Sequence, residues 1–191
     1  MTTAAELEPL KIRCTSSDCE RQLHCFRKTR KMKPEQIGQC RSCGARLVDW
    51  QRLQRRDPAD AEFTFESLKH EAVRHHFFHA PIDKAAQLHA RRKGRLTLRE
   101  AAAKRLRRSI GQAQPARDGR QTPFEGNILY YAQHALACCC RTCLEYWHGI
   151  AKDKELAEDE IVYLVDLIMR FVGERLPALP DEGERMARRH P

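Results

Sequence analysis

The feature that most restricts how this chain can fold is the stretch Gly126-Asn-Ile-Leu-Tyr-Tyr-Ala-Gln-His-Ala-Leu-Ala-Cys-Cys-Cys-Arg-Thr-Cys-Leu-Glu-Tyr-Trp-His-Gly149. It carries four thiols and two imidazoles with no internal Pro or Gly. Asn127 can cap a helix start with its side-chain oxygen, and Gly149 can take the left-handed conformation that ends one, so a helix over residues 128–148 is the default expectation. At about 100° per residue, His134 and Cys138 share one face, Cys139 and Cys143 share nearly the opposite one, and Cys140 lies at the edge of the second. A straight helix cannot bring all six groups to one ion. Either the helix breaks near Arg141, making Cys140-Arg-Thr-Cys143 a knuckle, or one face recruits ligands from another helix.

Around this stretch, Gln121-Thr-Pro123, Gly126, Ala132-Gln-His-Ala135, Cys139-Cys-Arg141, Cys143 and Trp147-His148 form a long, specific pattern. In that pattern the chain resembles a bacterial family, the domain of unknown function 4186, over roughly residues 65–176. The resemblance implies a shared architecture and a shared site but supplies no reaction. The chain departs from the family pattern at Leu136 and Cys138, where the family carries Thr, which sets Cys138 apart from the candidate site residues.

The N-terminal third lies outside the resemblance and has its own anchors, Cys14-Thr-Ser-Ser-Asp-Cys19 and Cys40-Arg-Ser-Cys43-Gly44. Two close cysteine pairs about twenty residues apart match a zinc ribbon, in which each knuckle presents two thiolates and a hairpin returns the chain to close a tetrahedron. The expected ligands are Cys14, Cys19, Cys40 and Cys43, with His24 and Cys25 as substitutes for Cys19. So short a segment, with so few apolar residues, cannot build a core without a metal. The nine cysteines are odd in number and sit beside histidines without an export-type N-terminus. They read as metal ligands rather than a disulfide framework and place the protein in the cytoplasm, with Zn²⁺ expected at one or two per chain.

The expected fold class is mainly α: a helical domain preceded by a small zinc ribbon of short β-hairpins. Residues 1–10 read as a tail, 11–56 as the ribbon and connector, 57–177 as the helical domain and 178–191 as a flexible tail. Within the helical domain, periodicity predicts a helix over residues 64–79 that points His76 and His79 inward. A helix over 82–93 is expected to end at Gly94, a third opens at Thr97-Leu-Arg-Glu100 and runs to Ser109, and an amphipathic helix covers 158–175.

Net charge is +9 over 191 residues. Residues 91–108 hold nine Lys or Arg against one Glu, and a second basic run lies between the N-terminal knuckles. Arg27, Lys28, Arg30, Lys31, Arg91, Arg92, Lys93, Arg95, Lys104, Arg105, Arg107 and Arg108 are therefore candidate phosphate contacts. Apolar runs are too short to span a membrane, so none is expected as a partner. The leading functional expectation is a zinc-binding protein that grips the nucleic-acid backbone, DNA first. A metal-dependent hydrolase or nuclease using His134, Cys139, Cys140, Cys143 and His148 is the alternative, with Asp118 and Glu145 as nearby carboxylates. A zinc-stiffened adaptor for a protein partner is the third reading.

Overall fold

The computed structural model describes residues 12–184; the expected tail over residues 1–10 lies outside them, as do residues 185–191. Seven α-helices are present among the described residues: α1 (Trp50–Leu53), α2 (Ala61–Lys69), α3 (Ala72–His79), α4 (Lys84–Ile110), α5 (Ile128–Ala135), α6 (Arg141–His148) and α7 (Glu158–Arg175). The mainly helical expectation is met. Among the described residues the β-hairpins of a ribbon are not formed: the N-terminal segment shows isolated bridges alone, Asp18 to Leu23 and His24 to Glu71. Its chain is held by turns and by docking onto the helices instead of by strand pairing.

The expected helix over 64–79 is two helices. His24 inserts its backbone at the joint, donating its N–H to His70 O at 2.8 Å and accepting from Ala72 N–H at 2.8 Å. The break turns α3 relative to the expected face, so Arg74, Phe77 and Phe78 are buried while His79 is exposed and His76 half-buried. The expected helix over 128–148 also breaks. Ala137 takes a left-handed φ of 52°, and Cys140 is fully extended before α6 begins. Buried Gln133 clamps this kink. Its Nε2 donates to Cys138 O at 3.1 Å, and its main-chain carbonyl accepts from Cys138 N–H at 2.9 Å.

Helix α5 is buried on nearly every side, from Ile128 through Ala135, and packs against α3, α4 and α7. Such all-round burial marks a central core helix. The same core extends into the N-terminal segment through Phe26, Cys40 and Leu53. Phe26 meets Trp147 edge-on, ring centroids 5.9 Å apart, and Trp50 packs on Trp147 at 4.9 Å. Arg141 is fully buried and donates to three main-chain carbonyls, Ile110 O (3.1 Å), Ala151 O (2.6 Å) and Lys154 O (2.6 Å), tying the start of α6 to the end of α4.

The break expected at Gly94 is present inside α4, at φ 68° and ψ 170°. The new helix start there is capped by the C-terminal segment, because Arg95 N–H donates to Pro180 O (2.9 Å) and Leu96 N–H to Asp181 O (3.1 Å). Residues 178–184, expected within a flexible tail, thus lie along α4 with Leu179 buried. A Cβ on residue 94 would stand 2.4 Å from the Glu182 carbonyl carbon and 2.5 Å from Asp181 O. Gly94→Ala combines a backbone conformation reserved for glycine with a main-chain clash, so it is expected to cost roughly 3 kcal/mol. Denaturant unfolding against an exposed Leu96→Ala control checks it, and an unchanged midpoint would contradict the close approach of residues 181–183 to Gly94.

Candidate metal centres

Two groups of side chains have the geometry to hold a metal ion. In the first, Cys19, His24, Cys40 and Cys43 place one ligand atom each within 4.8 Å of one another. Cys19 Sγ lies 3.7 Å from Cys40 Sγ, and Cys43 Sγ lies 3.4 Å from His24 Nδ1. Tetrahedral zinc with thiolates at about 2.3 Å and imidazole at about 2.0–2.1 Å requires edges of about 3.8 Å (S to S) and about 3.6 Å (S to N). These two edges are close to the tetrahedral ones, and the remaining pairs lie within 4.8 Å. Cys40 has a thiol lowered below its ordinary value: burial opposes ionisation, and backbone N–H groups, among them Ser42 N–H at 3.4 Å, outweigh it.

The side chains brought together here differ from the expected set. Cys14 is absent from it and His24 stands in its place; Cys19, expected to be the replaceable ligand, stays. The reason is the bridge between His24 and Glu71, which fixes His24 at the joint between α2 and α3 with Nδ1 toward Cys43.

In the second group, Cys139, Cys140 and Cys143 lie within 4.8 Å of one another, with Cys139 Sγ 3.7 Å from Cys143 Sγ. The kink makes this possible. With residues 136–140 out of the helix, Cys139 and Cys140 turn back over the first turn of α6, which carries Cys143. Of the two ways offered by the sequence, the break is the one realised.

A buried arginine that the sequence reading missed completes the surroundings. Arg74 is 2 % exposed; its guanidinium donates to Cys143 Sγ (3.1 Å), Cys139 Sγ (3.7 Å), His134 O (2.6 Å) and Glu71 Oε2 (3.0 Å). Desolvation favours its neutral form, but the sulfurs of Cys143 and Cys139 and the Glu71 carboxyl group hold it charged. Cys139 is in turn lowered well below an ordinary thiol by its hydrogen-bond sharing with Cys140 and Cys143 and by Arg74, while Cys140 and Cys143 are raised by the same sharing. The group thus already stabilises a thiolate, the form a soft metal takes. Glu71 and Arg74, an acid and a base three residues apart, were the available sequence signal.

His134 and His148, expected as ligands here, do not join the thiols. His134 Nε2 faces Thr122 O (3.2 Å) and Pro123 O (3.1 Å), and its ring packs against both Phe77 and Phe124. His148 Nε2 faces Leu136 O at 2.8 Å from full burial. Carbonyl acceptors place the proton on Nε2 in both, and burial lowers both to about 4, so each is neutral near pH 7. Asp118 spans the start of α6, accepting from Arg141 N–H (2.9 Å), Thr142 N–H (3.0 Å) and Thr142 Oγ1 (2.6 Å). It is a helix cap, held below the ordinary carboxylate value despite partial burial.

The second group opens onto a cleft of about 1140 Å³. Arg27, Lys28, Arg30, Arg120 and Lys152 line it, together with Trp50, Phe124, Tyr146 and Trp147. Lys31 is exposed elsewhere. The basic residues of α4 stand apart from this cleft, and several have partners within the chain: Arg91 with Glu184, Arg99 with Asp166, Arg107 with Glu158 and Arg95 with Leu179 O. Arg105 is half-buried, donating to Gln133 Oε1 and Gln121 O and lying over the Tyr130 ring. Arg92, Lys93, Lys104 and Arg108 make no ion pair among the described residues.

If the first group holds a metal, His24→Ala is expected to release one ion per chain and open residues 19–43 to protease, because a bound metal would add folding free energy to that segment. Cys14→Ser should leave the segment protected. Metal analysis paired with limited proteolysis checks both. Acid sensitivity follows from the two neutral histidines. Their folded values lie below the unfolded value of about 6.5, so their contribution is complete above that pH and is lost as pH falls toward 4, roughly 3 kcal/mol for each. His148→Gln keeps a donor for Leu136 O and should flatten the slope of unfolding free energy between pH 6.5 and 4.5 by about one proton, read from urea titrations of both proteins.

No solved structure matches the chain. The family model of the domain of unknown function DUF4186 matches residues 62–173, a span that holds Arg74, the kink at Ala137 and all three thiols of the second group. The match covers more than half of the sequence, and the chain belongs to the DUF4186 family.

Proposed function

We propose that this is a zinc-binding protein whose cleft takes a flexible phosphate-bearing polymer, single-stranded nucleic acid. The carrying observation is the cleft itself, where cationic and aromatic side chains line one cavity. Six cationic side chains stand against three carboxylates, and of those carboxylates Glu71 is paired with Arg74 and Asp118 is consumed as a helix cap. Phosphates suit the cationic rim, and Trp50, Phe124 and Tyr146 offer faces on which bases stack at about 1–3 kcal/mol each. A volume near 1140 Å³ lies above the range of about 300–1,000 Å³ usual for a single small ligand, which suits a longer occupant. This moves the expected interface from α4, much of whose charge is spent internally, to the N-terminal basic segment. Zinc is the metal chosen by the donor set, thiolates with one imidazole at tetrahedral spacing.

A second reading, metal-dependent hydrolysis, is favoured by one observation: the second group supplies three ligands, and three-ligand zinc sites that keep an open position are catalytic. Zinc bound there would supply a Lewis acid and an acidified water. The chain's own contribution would be to bind phosphate through Arg120 and Lys152 and to accept a proton at His134 Nδ1, which is buried without a partner among the described residues.

The triple variant Arg27→Ala, Lys28→Ala, Arg30→Ala is expected to weaken single-strand binding and to lower the salt slope by about two, at roughly 0.7 per lost phosphate contact. The pair Arg92→Ala, Arg108→Ala on α4 should leave the slope unchanged. Fluorescence anisotropy with single-stranded DNA, single-stranded RNA and duplex across a salt series reads both. Binding that is salt-independent, or tighter to duplex, would overturn the reading.

A further inference from the structure

Three thiols leave a tetrahedral ion one ligand short. The chain's other cysteines divide clearly. Cys19, Cys40 and Cys43 belong to the first group, and Cys25 and Cys138 are fully buried. Cys14 alone is uncommitted and half-buried, and it lines the same cleft as Cys139, Cys140 and Cys143. Its main-chain carbonyl is tethered by Cys25 Sγ–H at 3.4 Å, which keeps the residue at the cleft wall; its sulfur stands outside the 4.8 Å grouping of the three thiols, so closing the site takes a turn of the side chain. Its thiol is raised chiefly by burial, and the charges on Arg74, Cys143 and Cys139 all reach it.

We infer that Cys14 is the fourth ligand of the Cys139, Cys140 and Cys143 centre, so that the segment before the first metal group staples itself onto the helical domain through a second ion. This rests on the reading of the second group as a metal centre. The charge balance supports it. Four thiolates around Zn²⁺ carry a net charge of −2, and the buried Arg74 guanidinium, already donating to two of those sulfurs, offsets half of it. Cys14 precedes the family match at residues 62–173, so the closure is made by a part of this chain that the family span does not contain. A site closed by four thiolates is structural; the hydrolytic reading requires Cys14 to be displaced.

The test uses the full reduced chain loaded with Co²⁺, whose sulfur-to-metal charge-transfer band grows with the number of bound thiolates. Two ions per chain are expected in the wild type. Cys14→Ser should retain the first ion, lower the band and lose the second ion to a competing chelator at a concentration roughly tenfold lower. Cys14→His should recover retention with a band still reduced, which a purely packing role for Cys14 would not produce. Cys25→Ser should change neither. If Cys14→Ser keeps two ions with wild-type retention and band, Cys14 is no ligand although the three-thiol centre stands. If the wild type binds a single ion that His24→Ala removes, the second centre itself is absent and the inference falls with it.

Discussion

The guanidinium of Arg74 is the interaction on which the rest of the arrangement depends. A charge buried to 2 % exposure survives only if its surroundings repay the desolvation. Here the partners come from different parts of the chain: Glu71 at the start of its own helix, the carbonyl of His134 at the end of α5, and the sulfurs of Cys139 and Cys143 across the kink. Glu71 is equally buried and is raised by that burial, and its second support is Trp147 Nε1–H at 3.1 Å. Removing either charge would strand the other, which is the costly way to disturb such a pair. One side chain thereby fixes where α3 sits against α5, where α5 must stop and which way two thiols face.

Both helix breaks serve that convergence. Had residues 64–79 stayed helical, the backbone groups of His70 and Ala72 would have been satisfied internally and His24 would have had no joint to enter. Had residues 128–148 stayed helical, Cys139 and Cys140 would have diverged around the axis. The second break places a non-glycine residue, Ala137, in the left-handed region, at a cost of about 1–2 kcal/mol. Gln133 offsets it by holding both polar groups of Cys138, and Arg105 in turn donates to Gln133 Oε1 at 3.2 Å. A residue whose charge suggested a surface role is thus part of the device that bends the helix.

The sequence made some of this legible and concealed the rest for physical reasons. Helix class, the break at Gly94, the capping roles of Asn127 and Gly149, and the family pattern were readable because each rests on local chemistry. The knuckle Cys40-Arg-Ser-Cys43 was readable for the same reason. Its partners were not, since the choice of His24 over Cys14 depends on a backbone bridge to Glu71, a contact between residues distant in sequence. The histidines at 134 and 148 looked like ligands because imidazole beside thiol is a metal pattern, but spacing along the chain carries no information about which carbonyl lies opposite a ring once the helix has bent. Charge density misled in a related way. The basic run on α4 and the acidic residues at 158, 166 and 184 are far apart in sequence and meet only in the fold.

The two metal groups are joined by a short run of contacts. His24, a ligand of the first group, holds the joint at Glu71 through its backbone; Glu71 holds Arg74; and Arg74 holds Cys139 and Cys143 of the second. Each link is a hydrogen bond or ion pair within buried structure, where displacement of one partner leaves a polar group unsatisfied at about 1–3 kcal/mol. Adjacency alone does not establish coupling. The element that could carry it is the joint between α2 and α3, because it is held open by His24 and has a continuous helix as its alternative. Any stabilisation the first ion gives to that joint favours the thiol geometry of the second group, and by linkage the second ion returns the same free energy to the first.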